Sequence, residues 1–267
     1  GEFMGRCAVP GLACLPSDTF VVSAGRSHRL PGTRPEAVLL IHGFTGCTDD
    51  MLYLGRRLEQ VGFTVSIPRL PGHGTNHADF LASHWRDWLR AAVDGYLELK
   101  REFREVYIAG LSMGGVLALI LAAEFRPGRI ALAAPAIKVN VPGLAFTPLL
   151  GLFVKRLRRP EYVEEEVDPD RIYLSSEYWR WQWVAPAADL LRLQRIARRM
   201  LAMVEAPTLT IVSKGDSTVS WRVAEYLESR IGAKERNHVV LERSGHVVVN
   251  GVEKVYVADQ IVDWFVR

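Results

Sequence analysis

Val106-Tyr107-Ile108-Ala109-Gly110-Leu111-Ser112-Met113-Gly114-Gly115 is the stretch whose reading decides the fold. A short β-branched and aromatic run, suited to a buried strand, ends in Gly110-Leu111-Ser112-Met113-Gly114. A helix-forming, largely apolar segment, Val116 to Phe125, follows at once. The reading is strand, tight turn, helix, with a serine at the apex. A serine on so sharp a turn sits in strained backbone, and side chains two positions to either side would strike the adjoining strand and helix. Hence the two glycines. The hydroxyl then stands clear of the sheet, and the helix N-terminus behind it favours developing negative charge. The G-x-S-x-G pattern alone is weak, since a glycine-rich connection can supply it, so the elements around it have to agree.

Working toward the N-terminus, Phe63 to Ile67 reads as a strand and Pro71-Gly72-His73-Gly74 as part of the loop after it. A helix from about Ser83 to Arg101 carries Trp85, Trp88, Leu89, Ala92, Val93, Tyr96 and Leu97 at helical spacing. Earlier still, Ala37 to Ile41 is a continuous apolar run, as for a strand covered on both faces, and it enters His42-Gly43-Phe44-Thr45-Gly46. A helix from about Met51 to Val61 follows, stopped by Gly62. Thr19 to Ser23 is one further strand-like piece. Toward the C-terminus, Ile130 to Ala134, Pro207 to Ser213 and His238 to Leu241 read as strands. Helices are expected from about Trp221 to Ile231 and from Val252 to Val266. Buried strands alternating with amphipathic helices predict an α/β fold, a mostly parallel sheet flanked by helices.

Between about Ala136 and Ala206 that rhythm breaks. Val141 to Val154 is apolar but interrupted by Pro142, Gly143, Pro148 and Gly151, and Lys155-Arg156-Leu157-Arg158-Arg159 follows. An acidic patch (Glu161, Glu164-Glu165-Glu166), an aromatic cluster from Tyr173 to Trp183 and a helix from about Ala187 to Val204 complete it. Strand rhythm then resumes, so residues 137–206 read as an inserted cap. The core is read as 19–136 and 207–267, with 1–18 a vector-derived remnant (Gly1-Glu2-Phe3 before Met4) and an N-terminal extension. The apolar run with its basic tail is read mainly as a cap element lining an acyl pocket; transient contact with a membrane surface is the alternative.

A chain of 267 residues can bury a substantial core. A net charge of +3 is too small to argue for nucleic acid. Cys7, Cys14 and Cys47 follow no zinc spacing and are odd in number, which supports neither a metal site nor a disulfide framework. No apolar run is long enough to span a membrane, and a reducing, cytoplasmic setting is expected.

A serine hydroxyl is a poor nucleophile unaided, so Ser112 needs a base, a group that orients the base, and donors for an oxyanion. Asp216 follows one strand, and His246, in Ser244-Gly245-His246, follows the next. Both fall at the sheet edge that carries Ser112, in the order Ser, Asp, His. Taken singly, Asp216 equally fits a turn or a helix N-cap, and His246 a surface loop. His73 is the rival base, but it precedes the serine. The backbone N–H of Met113 and that of Phe44 are the expected oxyanion donors. His42 is expected to brace its loop, and Cys47 to be a small buried residue.

With these residues laid out, the chain resembles the α/β-hydrolase superfamily over about Thr19 to Arg267, and more narrowly its bacterial carboxylesterase and monoacylglycerol lipase group. The matching pieces are Leu39 to Gly46, Pro71 to Thr75, Ala109 to Gly115, Asp216 and Ser244-Gly245-His246. The resemblance implies a Ser112, Asp216, His246 triad, Phe44 and Met113 as oxyanion donors, no metal or organic cofactor, and a cap over an acyl pocket. It also implies a serine hydrolase of short- to medium-chain carboxylic esters, with monoacylglycerols among the candidate substrates. A small-molecule ester is then the expected partner. An acyltransferase or thioesterase with the same triad, or a ligand-binding protein on the same fold, are the alternatives. One departure stands out: that group commonly follows its acid with a Val-Val-Pro-like stretch, where this chain has Ser217-Thr218-Val219-Ser220.

Overall fold

The computed structural model describes residues 15–140, 146–159 and 168–267. In chain order its elements are β1 (His28–Leu30), β2 (Glu36–Ile41), α1 (Asp49–Gln60), β3 (Thr64–Ile67), α2 (His77–Ala82), α3 (Trp85–Glu102), β4 (Glu105–Leu111), α4 (Met113–Phe125) and β5 (Ile130–Ala133). There follow α5 (Thr147–Leu150), β6 (Arg156–Arg158), α6 (Pro169–Leu174), a π-turn over Ser175–Trp179, β7 (Trp181–Trp183) and α7 (Val184–Met200). The chain closes with β8 (Thr208–Ser213), α8 (Val223–Glu228), β9 (Arg236–Leu241) and α9 (Lys254–Val266).

Seven strands form one sheet in the order β1-β3-β2-β4-β5-β8-β9. All neighbours are parallel except β1, which runs antiparallel to β3 at the edge. β4 is central, and its burial on both faces explains its apolar composition. Successive side chains serve opposite faces: Ala37, Leu39 and Ile41 pack in the layer with α3, α4, α7 and α8, while Val38 and Leu40 pack with α1 and α9. α4 is apolar around its circumference and is buried from Met113 to Ala123, which suits a helix enclosed by β4, α3 and α7.

Three features differ from the sequence expectation. Thr19 to Ser23 is no strand. Val22 N–H instead donates to Gly74 O (3.1 Å) and a 3₁₀ turn follows over Ser23–Gly25, where a side chain on Gly25 would run into Gly74. The edge strand is His28–Leu30, too short and polar to announce itself. The six-residue α2 was also not expected; Asn76 caps it by accepting from Asp79 N–H at 3.0 Å.

Between β5 and β8 the described residues add nothing to the main sheet. β6 and β7 pair antiparallel as a separate two-stranded unit. α7, by contrast, packs on α3 and α4, and its Gln194 and Arg198 side chains donate to Ala136 O and Ile137 O at 2.7 and 2.8 Å. The last helix of the 137–206 stretch therefore shares the layer that covers the sheet. The reading of Val141 to Val154 as a pocket lining is not met by its described part. Phe146, Leu149, Leu152 and Phe153 face solvent, because the four-residue α5 offers only Thr147 as a buried side chain. Residues 141–145, Glu161 and Glu164 to Glu166, and Cys7 and Cys14, lie outside the described residues. No helix among the described residues is long and apolar enough to cross a membrane.

Candidate active site

Ser112 occupies the one-residue turn between β4 and α4, at φ 55° and ψ −114°. That conformation is strained for a residue with a Cβ and persists because its surroundings fix it. Ser112 N–H donates to Ala133 O (2.8 Å), and Ser112 O accepts from Ala136 N–H (3.0 Å), so β5 and its loop hold the peptide on both sides. A side chain on Gly110 would collide with the Gly114 carbonyl, and one on Gly114 with the carbonyls of Ile41 and His42. Both glycines are thus required by close approach.

The loops after β8 and β9 bring Asp216 and His246 to this serine. His246 Nε2 lies 2.8 Å from Ser112 Oγ, and His246 Nδ1 lies 2.7 Å from Asp216 Oδ2. With a carboxylate on one side, Nδ1 carries the proton and Nε2 is left to accept from the serine hydroxyl. Asp216 Oδ1 accepts from the amides of Thr218 (2.7 Å) and Val219 (3.0 Å). The Ser217-Thr218-Val219-Ser220 departure is therefore accommodated: any residues with free N–H groups at those two positions anchor the acid. Burial alone would raise the Asp216 pKa. The hydrogen bond and charge of His246, with the two amides, outweigh it and hold the carboxyl below its ordinary value.

A second carboxylate, not singled out from the sequence, fixes the histidine loop. Glu253 Oε2 accepts from Arg243 N–H (3.1 Å), Ser244 N–H (2.8 Å) and Ser244 Oγ (2.7 Å). Ser244 O in turn accepts from Ser213 Oγ at 2.5 Å, and Ser213 Oγ accepts from Gly215 N–H at 3.1 Å. The loops bearing Asp216 and His246 are so tied to each other beneath the site. A lone Glu at the start of a helix offers no local signal of this.

The loop after β2 runs beside the serine: a Cβ placed on Gly43 would lie 3.2 Å from Ser112 Cβ. Phe44 N–H has no hydrogen-bond acceptor among the described residues. Met113, as the first residue of α4, has no helical carbonyl four residues before it. His42 is a brace. Its Nδ1–H donates to Gly43 O (3.0 Å) and its Nε2 accepts from Leu70 N–H (3.1 Å), which joins this loop to the one after β3. Burial pushes its pKa down to about 4, so it is neutral near neutral pH. His73 is fully buried against Phe80, Trp88 and the His42 ring, and its Nδ1–H donates to Pro71 O (3.0 Å). Burial and the neighbouring His42 lower its pKa strongly, and it takes no part in the Ser112 row. Cys47 is wholly buried, and burial pushes its thiol up to about 12. It is an inert packing residue.

The description "Alpha/beta hydrolase family" matches residues 38–258, and the chain belongs to that family. It is 29% identical over 258 residues to a thermostable monoacylglycerol lipase of Bacillus sp. (strain H-257), covering 94% of this chain and 98% of that one. It is 27% identical over 239 residues to a carboxylesterase of Bacillus subtilis (strain 168), covering 86% and 92%. Among solved structures, one described under two metagenome-derived lipolytic enzymes, LipS and LipT, superposes with a TM-score of 0.81 at 27% identity, over 92% of this chain and 98% of that one.

Proposed function

We propose that this chain hydrolyses carboxylic esters with short- to medium-length acyl chains, monoacylglycerols among them, through an acyl-enzyme on Ser112. The observation that carries the reading is the continuous row Ser112 Oγ, His246, Asp216, with both links under 3 Å. The relatives named above support ester hydrolysis. In this reading His246 Nε2 takes the serine proton as Oγ attacks the ester carbonyl, and the amides of Phe44 and Met113 receive the negative charge on its oxygen. Collapse of the adduct breaks the ester C–O bond, and His246 returns the proton to the departing alcohol. Water, deprotonated by the same His246, then releases the acid and restores the serine. Asp216 keeps Nδ1 protonated and stabilises the imidazolium. No metal or organic cofactor enters these steps.

The stretch after Ile137 serves in this reading as the cap, with α7 its base on the core. Exposed Phe146 (68%), Leu152 (72%) and Phe153 (82%) adjoin exposed Lys155, Arg158 and Arg159. Apolar residues rimmed by cations suit an anionic lipid aggregate, from which an esterified substrate would be drawn. Phosphatidylglycerol-containing vesicles should co-sediment the protein, and Leu152→Ser with Phe153→Ser should release it; equal sedimentation of variant and parent would refute the contact.

The function itself is tested with p-nitrophenyl butyrate beside Ser112→Ala, then with a chain-length series extending to monoacylglycerols. Equal rates for parent and Ser112→Ala would overturn the esterase reading.

A further inference from the structure

Two non-glycine residues with positive φ flank the reacting centre: Ser112 at 55° and Thr45 at 59°. The core sheet holds the first. Thr45 is β-branched, and such a residue at positive φ is strained, so it needs support from outside its own loop. Within the loop Gly46 N–H and His42 Nδ1–H both donate to Gly43 O, at 3.1 and 3.0 Å. Phe44 packs edge-on against Phe80 and Trp88 and His42 accepts from Leu70 N–H, while the support at the Thr45 carbonyl comes from the segment between β5 and β8.

Trp179, at the end of the π-turn, donates its indole N–H to Thr45 O at 3.1 Å. Cys47 N–H donates to Asp50 Oδ2 at 3.0 Å, and Asp50 is almost fully buried. Its other oxygen accepts from the Arg171 guanidinium of α6 at 3.1 Å, and Arg171 also reaches Asp49 at 2.9 Å. Arg171 is the only cation paired with Asp50 among the described residues. Its guanidinium lies 5.7 Å from the Trp179 ring centre, so the two supports touch. Burial disfavours the charge on Arg171, yet Asp50 and Asp49 outweigh burial and the pKa is raised. α6 is itself anchored, since Asp170 accepts from Ala24 N–H at 2.9 Å and Thr48 Oγ1 donates to Ala24 O at 3.0 Å.

We propose that Arg171 and Trp179 are positioning residues that hold the His42–Cys47 loop in the conformation aiming Phe44 N–H at the oxyanion. Neither touches a reacting atom. Trp179 pins the Thr45 carbonyl, which fixes the peptide plane one residue beyond Phe44. Arg171 acts through Asp50: without the cation, a buried carboxylate retains one amide partner, turns toward water and releases Cys47 N–H. The strained Thr45 peptide is then free to relax, and the Phe44 amide turns with it. The inference rests on the proposed role of Phe44, and it makes the reactivity of the site depend on the placement of a segment outside the core sheet.

The test uses Trp179→Phe, which keeps the ring and deletes the donor, with Arg171→Met and Arg171→Lys. Steady-state kinetics on p-nitrophenyl butyrate are read beside inhibition by an alkyl trifluoromethyl ketone, whose serine adduct carries its alkoxide where the oxyanion forms. Hydrogen exchange over residues 41–50 and thermal melting complete the set. Trp179→Phe and Arg171→Met should lower kcat about 10- to 100-fold, below the full loss of an oxyanion donor. KM should stay within about two-fold, the ketone should bind more weakly by a similar factor to the loss in kcat, and exchange over 41–50 should quicken. Arg171→Lys should recover part of the loss. Unchanged kcat with only a lower melting point, or a loss confined to KM, would overturn the proposal. If Arg171→Met does not fold, Trp179→Phe decides. If the parent cleaves no ester, the esterase reading fails, and unaltered exchange over 41–50 in Trp179→Phe would separately overturn the positioning.

Discussion

The two buried imidazoles beside the site give the protein a pH-dependent stability whose sign and size follow from their surroundings. His42 Nε2 must accept from Leu70 N–H, so protonating it sets two donors against each other. His73 is enclosed by Phe80, Trp88 and His42, and its Nε2 has no partner among the described residues. Burial holds His42 at about 4, and His73 is lowered strongly by burial and by His42. The unfolded chain binds a proton on each near pH ~6.5. Below that pH the unfolded state takes up protons that the folded state refuses, so stability is full above ~6.5 and falls with decreasing pH toward the folded values. From about pH 8 to about pH 5 His42 removes about 2 kcal/mol, from ~1.5 units at 1.36 kcal/mol per unit, and His73 removes stability in the same direction. The His42 part alone is about 4 °C in melting temperature at roughly 2 °C per kcal/mol for a chain of this size, and His73 adds to it.

The perturbation that isolates one imidazole is His73→Phe. The ring sits 5.0 Å from Phe80 and 5.7 Å from Trp88, edge-on to both, a setting that accepts a phenyl. The substitution forfeits the bond to Pro71 O, which lowers stability at every pH. It should also reduce the loss between about pH 8 and about pH 5, because the lowered imidazole is gone. Urea unfolding followed by tryptophan fluorescence at the two pH values measures both quantities. The depressed carboxyl of Asp216 does not confound it, because its stabilising effect is lost only below the ordinary carboxylate pKa of ~4. A pH-dependent loss undiminished in His73→Phe would refute the reasoning.

Four further outcomes are expected. Gly114→Ala puts a methyl against the Ile41 and His42 carbonyls, so thermal melting should show a loss of roughly 1–3 kcal/mol, and a parental melting curve would contradict the close approach. Asp216→Asn keeps an acceptor for the Thr218 and Val219 amides but turns an NH₂ group toward His246 Nδ1 and enforces the wrong tautomer. Esterase assays should give a kcat lower by ~10³–10⁴ with little change in KM. All three donors to Glu253 converge on one oxygen, so Glu253→Gln should retain most of the activity while Glu253→Ala lowers kcat; equal kcat in the two would remove the loop-holding role. Cys47, with its thiol pushed up to about 12, should resist iodoacetamide in the folded protein and react in urea, as read by peptide mass spectrometry.

What the sequence reveals and what it conceals divide along the range of the interactions. The turn at Ser112 is legible because its requirement is local: strand, glycine, serine, glycine and helix must be contiguous. Asp216 and His246 are legible because a parallel sheet delivers successive strand ends to one edge, so order along the chain becomes position in space. β1 fails this test. Its three residues, His28 to Leu30, have mostly polar character, and only pairing with β3 makes them a strand. α2 has six residues, too few to show a period, and the Asn76 cap is visible only once the helix is known. Glu253, Arg171 and Trp179 escape for a different reason. Glu253 reaches back only nine or ten positions but carries no motif, whereas Arg171 and Trp179 act on a loop far from them in the chain, and no spacing rule links Trp179 to Thr45 across 134 positions.

Support for the two strained peptides therefore has two different origins. Ser112 is held by Ala133 and Ala136, from the strand beside its own and the loop that follows it, so its conformation is as stable as the sheet. Thr45 is held by Trp179, with Arg171 bracing the neighbouring Asp50, from a segment that adds no strand to that sheet. The conformation of Ser112, the proposed nucleophile, thus follows from the sheet, whereas that of Thr45, beside the proposed oxyanion donor, also depends on how the segment between β5 and β8 is seated. Because that same segment exposes Phe146, Leu152 and Phe153, whatever engages those residues acts on a chain that is continuous, within about thirty residues, with the supports of the Phe44 loop. In the proposed mechanism, shape changes there would reach the Phe44 amide without disturbing Ser112, so any coupling between surface contact and catalysis would fall on the oxyanion rather than on the serine.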